Sequence, residues 1–220
     1  MKSMLRSTTT YLVASLLLLF FSLLMLEITL QYVPWRTDVA FLQLKGEELM
    51  LAYYEPAFFV HVFTSMLALL AGFTQFSKTL RLKYTLVHRW VGMVYVSVIL
   101  FFSGPSGLIM GYHANGGISS QIAFVLLALL WMFTTWKAFD TARKKEFDAH
   151  RKWMIRSYAL TLSAVTLRLW KWTIVKVWEP APMDVYRIVA WLGWVLNILV
   201  VEYYFWLESK RRKADLRVQA

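Results

Sequence analysis

SSQIAFVLLALLWMFTTWKAF, residues 119–139, carries a single charged residue, Lys137, across a stretch as long as a bilayer is thick. At 1.5 Å per residue, about 20 helical residues cross a hydrocarbon core roughly 30 Å deep. Five more runs of that kind surround it, at 11–33, 55–76, 88–112, 151–177 and 185–207. They predict an all-α, polytopic membrane helical bundle of about six transmembrane helices, a single integral membrane domain over 1–220. Composition agrees: 59% hydrophobic residues, 17% charged residues and a mean hydropathy of +0.50 lie outside the soluble range. The connections are short except 34–54, where Asp38, Lys45, Glu47 and Glu48 read as a small surface-lying segment. The first run follows Lys2 and Arg6, as a secretory signal would. It is too long for one, contains Glu27 and meets no small-x-small cleavage site, so it reads as a retained helix.

The excess of 24 Lys+Arg over 13 Asp+Glu would suggest nucleic acid in a soluble protein. Here the basic residues cluster between apolar runs, so they report orientation and no nucleic-acid partner is implied. Most of them fall on alternate connections: Lys2 and Arg6; Lys78, Arg81, Lys83 and Arg89; Lys137, Arg143, Lys144, Lys145, Arg151 and Lys152; Lys210, Arg211, Arg212, Lys213 and Arg217. The opposite connections hold Arg36 and Lys45 with Asp38, Glu47, Glu48, Glu55, Glu179 and Asp184. The expectation is a multi-pass protein of the cell (cytoplasmic, inner) membrane with both ends in the cytoplasm. Trp35, Tyr53, Tyr54, Trp170, Trp172 and Trp178 stand where an outer aromatic belt belongs, and Trp90, Trp136 and Trp153 mark the inner one.

With no cysteine there is no disulfide, no thiolate metal site, no covalent haem and no cysteine nucleophile. Four histidines remain for ligation or acid–base work, all near span ends. His88 and His150 open the third and fifth spans on the cytoplasmic side; His61 lies in the outer part of the second, and His113 closes the third. Neutral imidazole is a good axial ligand for haem iron, and a haem between helices takes one from each of two of them. Both the inner pair, His88 with His150, and the outer pair, His61 with His113, meet that requirement. Along one continuous helix His88 and His113 would stand roughly 37 Å apart, more than the hydrocarbon depth. The break at 103–107, Ser-Gly-Pro-Ser-Gly, could shorten or rotate that helix. A purely structural reading stands beside the ligand one, with interfacial histidines anchoring helix ends.

The phrases Val87-His88-Arg89-Trp90 and Ala149-His150-Arg151-Lys152-Trp153 each join imidazole, cation and indole at an inner helix start. Their cations could meet lipid phosphate or neutralise haem propionates or another acid group. Charges inside spans are costly and draw attention: Arg156 and Glu202 lie at similar depth as a plausible buried pair, and Arg168 and Glu27 both lie in outer thirds. Arg168 follows His150 by five turns of an unbroken helix, which would put it on the histidine's face, pointing into the bundle as a cofactor-binding cation. No phosphate-binding glycine loop, paired-carboxylate metal motif or serine elbow occurs, no catalytic residue is assigned, and the ten methionines read as packing.

Leu86-Val87-His88-Arg89-Trp90-Val91-Gly92-Met93-Val94-Tyr95, Leu130-Trp131, the run from His150 through Arg151, Trp153, Met154, Arg156, Ser157 and Tyr158 to Thr161, and Thr166-Leu167-Arg168 carry a likeness. On these phrases the chain resembles a bacterial family of predicted multi-pass membrane proteins classed as a domain of unknown function. That resemblance implies a membrane domain and no activity. More weakly, His61, Met66, Gly72, Lys83, His88 and Tyr112-His113-Ala114-Asn115-Gly116-Gly117-Ile118 resemble the landmarks of two-haem b-type transmembrane cytochromes of the ascorbate-linked kind. That likeness implies His150 as the partner of His88. The span 119–139 has no histidine, so His61 lacks the partner that family would give it unless His113 substitutes.

The expectation is therefore a bundle that holds b-type haem through His88 and His150 and moves electrons between a quinol or other redox partner and an acceptor. The alternative is a non-catalytic accessory or assembly subunit of a membrane complex, or a small transporter, with the histidines as anchors. Transport is less favoured, since neither inverted repeats nor paired broken helices appear.

Overall fold

The structure, a computed structural model, describes the backbone of residues 2–218. Side chains are described in that range except at 2–15, 73, 215, 217 and 218, so Lys2, Arg6 and Arg217 of the charge count lie outside the described side chains. The order is α1 (Lys2–Leu30), two 3-10 turns (Ala40–Leu44 and Glu48–Met50), α2 (Tyr54–Gln75), α3 (Lys78–Lys83) and α4 (Thr85–Ser97). A π-helical segment (Val98–Ser103) follows, then α5 (Gly104–Tyr112), α6 (Ile118–Arg143), α7 (Phe147–Thr161), α8 (Ser163–Trp178) and α9 (Pro182–Val218). The described residues form no strand. The chain divides into two compact units, Met1–Ser106 and Gly107–Ala220, each described by itself below.

Four helical stretches are long and apolar enough to cross a membrane: Tyr54–Gly72, Thr85–Tyr112, Ile118–Arg143 and Pro182–Ala214. The chain is thus a helical membrane protein of several spans, as expected. Of the other two expected spans, α1 shows a shorter apolar stretch, Leu16–Leu30, within the described side chains. The fifth is two helices in place of one. α7 ends at Thr161 and α8 begins at Ser163, with Leu162 at φ −67, ψ −9 between them. Hydroxyls crowd this point: Thr161 donates to the Ser157 carbonyl, and Thr166 donates to the carbonyls of Leu162 and Ser163. Side-chain donors that compete for helix carbonyls bend or interrupt a helix.

In the first unit α2 packs on α1, α4 and the π segment. The connection 34–54 is more than the surface-lying segment the sequence suggests. Tyr32 meets Phe58 edge-on at 4.9 Å, Trp35 meets Phe59 at 5.0 Å, and Phe41 stacks on Phe58 at 6.2 Å, so the segment folds onto α2 as an aromatic cap. Lys45 is fully buried in it, 2.6 Å from Glu48 and with its ammonium 5.7 Å from the ring centre of Phe41. The π segment has a local cause. Pro105 has no N–H to give to the carbonyl four residues back, so the turn widens.

In the second unit α6 and α7 form an antiparallel hairpin, and α9 packs on α6, α7 and α8. α8 turns into α9 through Glu179, whose left-handed φ of 46° ends the helix, and the prolines at 180 and 182. Thr166 donates to the carbonyl of Gly193, and Asn197 donates to Thr166 Oγ1 at 3.1 Å and to the Ala159 carbonyl at 2.9 Å. A Cβ on Gly193 would stand 2.9 Å from the Leu167 Cβ, so the missing side chain sets how closely α8 and α9 approach. Between α6 and α7, Trp131 Nε1 donates to Thr161 Oγ1 at 2.9 Å and Thr135 pairs with Ser157 at 2.7 Å, both buried. With little hydrophobic drive between helices in lipid, such hydrogen bonds and small residues hold a bundle together.

Candidate functional site

His150 sits on the first turn of α7, half-buried, with its Nδ1 2.8 Å from the carbonyl oxygen of Ala138 on α6. A carbonyl only accepts, so Nδ1 carries the proton and donates it; in the neutral ring Nε2 then keeps its lone pair. His61, about two turns into α2, has the same arrangement, with Nδ1 2.9 Å from the Ser103 carbonyl. A histidine that ligates a metal is characteristically oriented by such a bond from its other nitrogen. His88 lies on the first turn of α4, half-buried, and His113 follows the end of α5 with its ring edge-on to Tyr112 at 5.1 Å. The inner and outer pairs each take one histidine from either unit. The described residues form no group of three or more His, Asp or Glu side chains suited to a metal ion, whereas haem needs only axial imidazoles.

Around His61 the polar groups gather at the π segment. Thr64 Oγ1 is 2.7 Å from Ser103 Oγ, and Ser106 Oγ donates to the carbonyls of Phe102, at 2.6 Å, and Ser103, at 3.3 Å. The imidazole and the Ser106 hydroxyl thus satisfy carbonyls that a regular helix would have paired with its own amides.

Beside His150 runs a ladder of ion pairs joining α7 to α9. Arg156 meets Glu202 at 2.5 and 2.9 Å, Arg151 grips both oxygens of Glu208 at 2.6 and 2.8 Å, and Arg212 reaches Asp148 at 3.2 Å. The pairing of Arg156 with Glu202 expected from the sequence is present. Its burial is not: Glu202 is 46% exposed on the outer face of the unit, and the arginine carbon lies 4.8 Å from the ring centres of both Trp153 and Phe205. The two further rungs were not read from the sequence. The Arg212 hydrogen bond, with its charge second, holds the Asp148 carboxyl below the ordinary carboxylate range.

Arg168 does not point into the bundle. It is exposed on α8 and donates from Nη1 to its own helix at the Ala164 carbonyl, 2.7 Å away. The break at Leu162 also removes the five-turn phase that tied it to His150.

Residues 58–205 match the family described as "Predicted membrane protein (DUF2306)". The chain belongs to that family. No curated protein and no solved structure matches it. All four histidines, Arg156, Arg168 and Glu202 lie within the part of the chain that the family covers; Glu208 and Arg212, the α9 halves of the inner rungs, lie beyond it. The chain is accordingly an integral membrane protein built of apolar helices.

Proposed function

We propose that the protein carries b-type haem through the axial imidazoles of His150 and His88 and passes electrons between a quinol-class reductant and an acceptor. The observation that supports this is the fixed ring of His150, whose Nδ1–H is held by the Ala138 carbonyl so that Nε2 is the ligating nitrogen. Haem so held supplies one-electron transfer, and the protein's part is to orient the ligand and bury the group. Neither neighbouring cation is placed for the propionates: Arg151 is engaged by Glu208, and Lys152, two residues on from His150 and so on another side of α7, holds its ammonium 6.0 Å from the ring centre of Phe205 on α9. The proposal includes residence in the cytoplasmic membrane with both ends inside, on the positive-inside count.

The test is an absorption spectrum of detergent-purified protein from haem-replete cells, oxidised and after dithionite. A b-type Soret shift and α band are expected, with both lost in His150→Ala and His88→Ala and kept in His113→Ala. Colourless protein overturns the reading in favour of a non-catalytic accessory subunit. A reporter fused after Ala220 that is active only outside the cytoplasm overturns the orientation.

A further inference from the structure

α8 has two unlike faces. Leu167 is pressed against Gly193 of α9, while Arg168, Lys171, Trp172, Val175, Lys176 and Glu179 line an open groove of about 740 Å³ on the other side. At about 100° per residue these positions share one face of the helix, and Lys176 stands roughly 12 Å from Arg168 along its axis. The face carries three cations against one carboxylate. No carboxylate approaches Lys171 or Lys176 within 4.0 Å among the described residues, although Arg187 holds Asp184, Lys45 holds Glu48 and Arg36 holds Asp38.

Depth follows from the neighbour. α8 runs back along α9, whose stretch Pro182–Ala214 is apolar and long enough to span. Leu167 meets α9 at Gly193, roughly 16 Å in from Pro182 by the helical rise. Arg168 therefore starts about 15 Å below the Trp178 end of α8, Lys171 about 10 Å and Lys176 about 3 Å. Lysines at that depth are costly without a counter-charge, and their long stems reach up toward the headgroups. Phosphate at the headgroup level answers Lys171 and Lys176, and Trp172 and Val175 between them suit an acyl chain.

We propose that this face binds an anionic phospholipid of the leaflet at the Trp178 end of α8, the phosphate held by Lys171 and Lys176 with Arg168 below. The site is separate from any haem at His150.

The test places the full chain in bicelles containing either dibrominated phosphatidylglycerol or dibrominated phosphatidylcholine at equal mole fraction. Bromine quenches tryptophan on contact, and subtraction of the Trp172→Phe signal isolates Trp172. The anionic lipid should quench Trp172 at a clearly lower mole fraction than the neutral one. Lys171→Gln and Lys176→Gln should each lower that preference about fivefold, as expected for one cation near a headgroup. Lys171→Arg with Lys176→Arg should keep it. Equal quenching by the two lipids in wild-type protein overturns the proposal, and so does a preference that survives Lys171→Gln with Lys176→Gln. Loss of the preference on adding inorganic phosphate at constant ionic strength overturns the lipid in favour of a soluble anion.

Discussion

Gly193→Ala should destabilise the protein by an amount that the α8–α9 contact sets. The new Cβ would stand 2.9 Å from the Leu167 Cβ and 3.2 Å from its Cα. Neither atom can swing away, because both belong to the backbone or its first side-chain carbon. The helices must separate by several tenths of an ångström, and overpacking of this kind costs about 1–3 kcal/mol. Separation also lengthens the Thr166 hydrogen bond to the Gly193 carbonyl, for which interhelical bonds in membranes suggest about 0.6 kcal/mol. Against these stands a helix-propensity gain of about 1 kcal/mol for alanine over glycine. The net loss is about 1–2 kcal/mol, or a midpoint lower by roughly 3–6 °C in a chain of this size. Thermal unfolding in detergent followed by circular dichroism measures it. Leu167→Ala should not rescue the variant, since alanine keeps the offending Cβ, whereas Leu167→Gly should recover part of the loss in a double-mutant cycle. Gly46→Ala, where a Cβ meets nothing within 4 Å, is the control. An unchanged or raised midpoint in Gly193→Ala would refute the close-approach reasoning.

Asp148→Asn should flatten the acid limb of stability. The carboxyl is held low in the folded protein by the Arg212 hydrogen bond, so its contribution is present above the ordinary carboxylate value near pH 4 and lost as pH falls through the depressed one. A melting-temperature series from pH 6 to 3 should fall more steeply for wild type than for the variant, and parallel curves refute the rung. Arg151→Ala and Glu208→Gln should show a coupling of about 0.5–1 kcal/mol in a double-mutant cycle, because one guanidinium nitrogen spans both carboxylate oxygens in a half-buried pair; additive losses would show the pair to be incidental. His61→Phe should cost about 1–2 kcal/mol by leaving the Ser103 carbonyl without the imidazole. It should also speed hydrogen exchange at residues 101–107, and unchanged exchange there would detach His61 from the π segment.

The spans were legible because hydropathy and helix length report the same constraint, namely that backbone polar groups in lipid must be satisfied within the segment. Thus 55–76 returns as Tyr54–Gln75 and 119–139 as Ile118–Arg143. The run 185–207 grew to Pro182–Val218 because its hydrophobic signal stops at charged residues that are themselves good helix formers, so the hydrogen bonds continue past the apolar edge. The break at Leu162 was not legible, because hydroxyl competition for carbonyls leaves no mark in a hydropathy window. Lys45 was misplaced for a related reason: a lone lysine in a polar connection reads as surface until its loop is seen folded onto Phe41 and Phe58.

The candidate site was legible as residues and illegible as roles. Arg156 and Glu202 stood out inside apolar runs, but Arg151, Glu208, Asp148 and Arg212 were absorbed into the orientation count. A register pattern does connect them: from Arg156, steps of five and three residues toward the start of α7 are answered by steps of six and four toward the end of α9. Only an antiparallel packing that the sequence does not announce turns those steps into rungs. The consequence reaches the function. In the phrase His150-Arg151-Lys152 the arginine that looked poised for a propionate is committed to Glu208, while the histidine has Nδ1 fixed on the Ala138 carbonyl. Arg151 therefore belongs to what holds α7 against α9, and the haem proposed above stands on His150 without it.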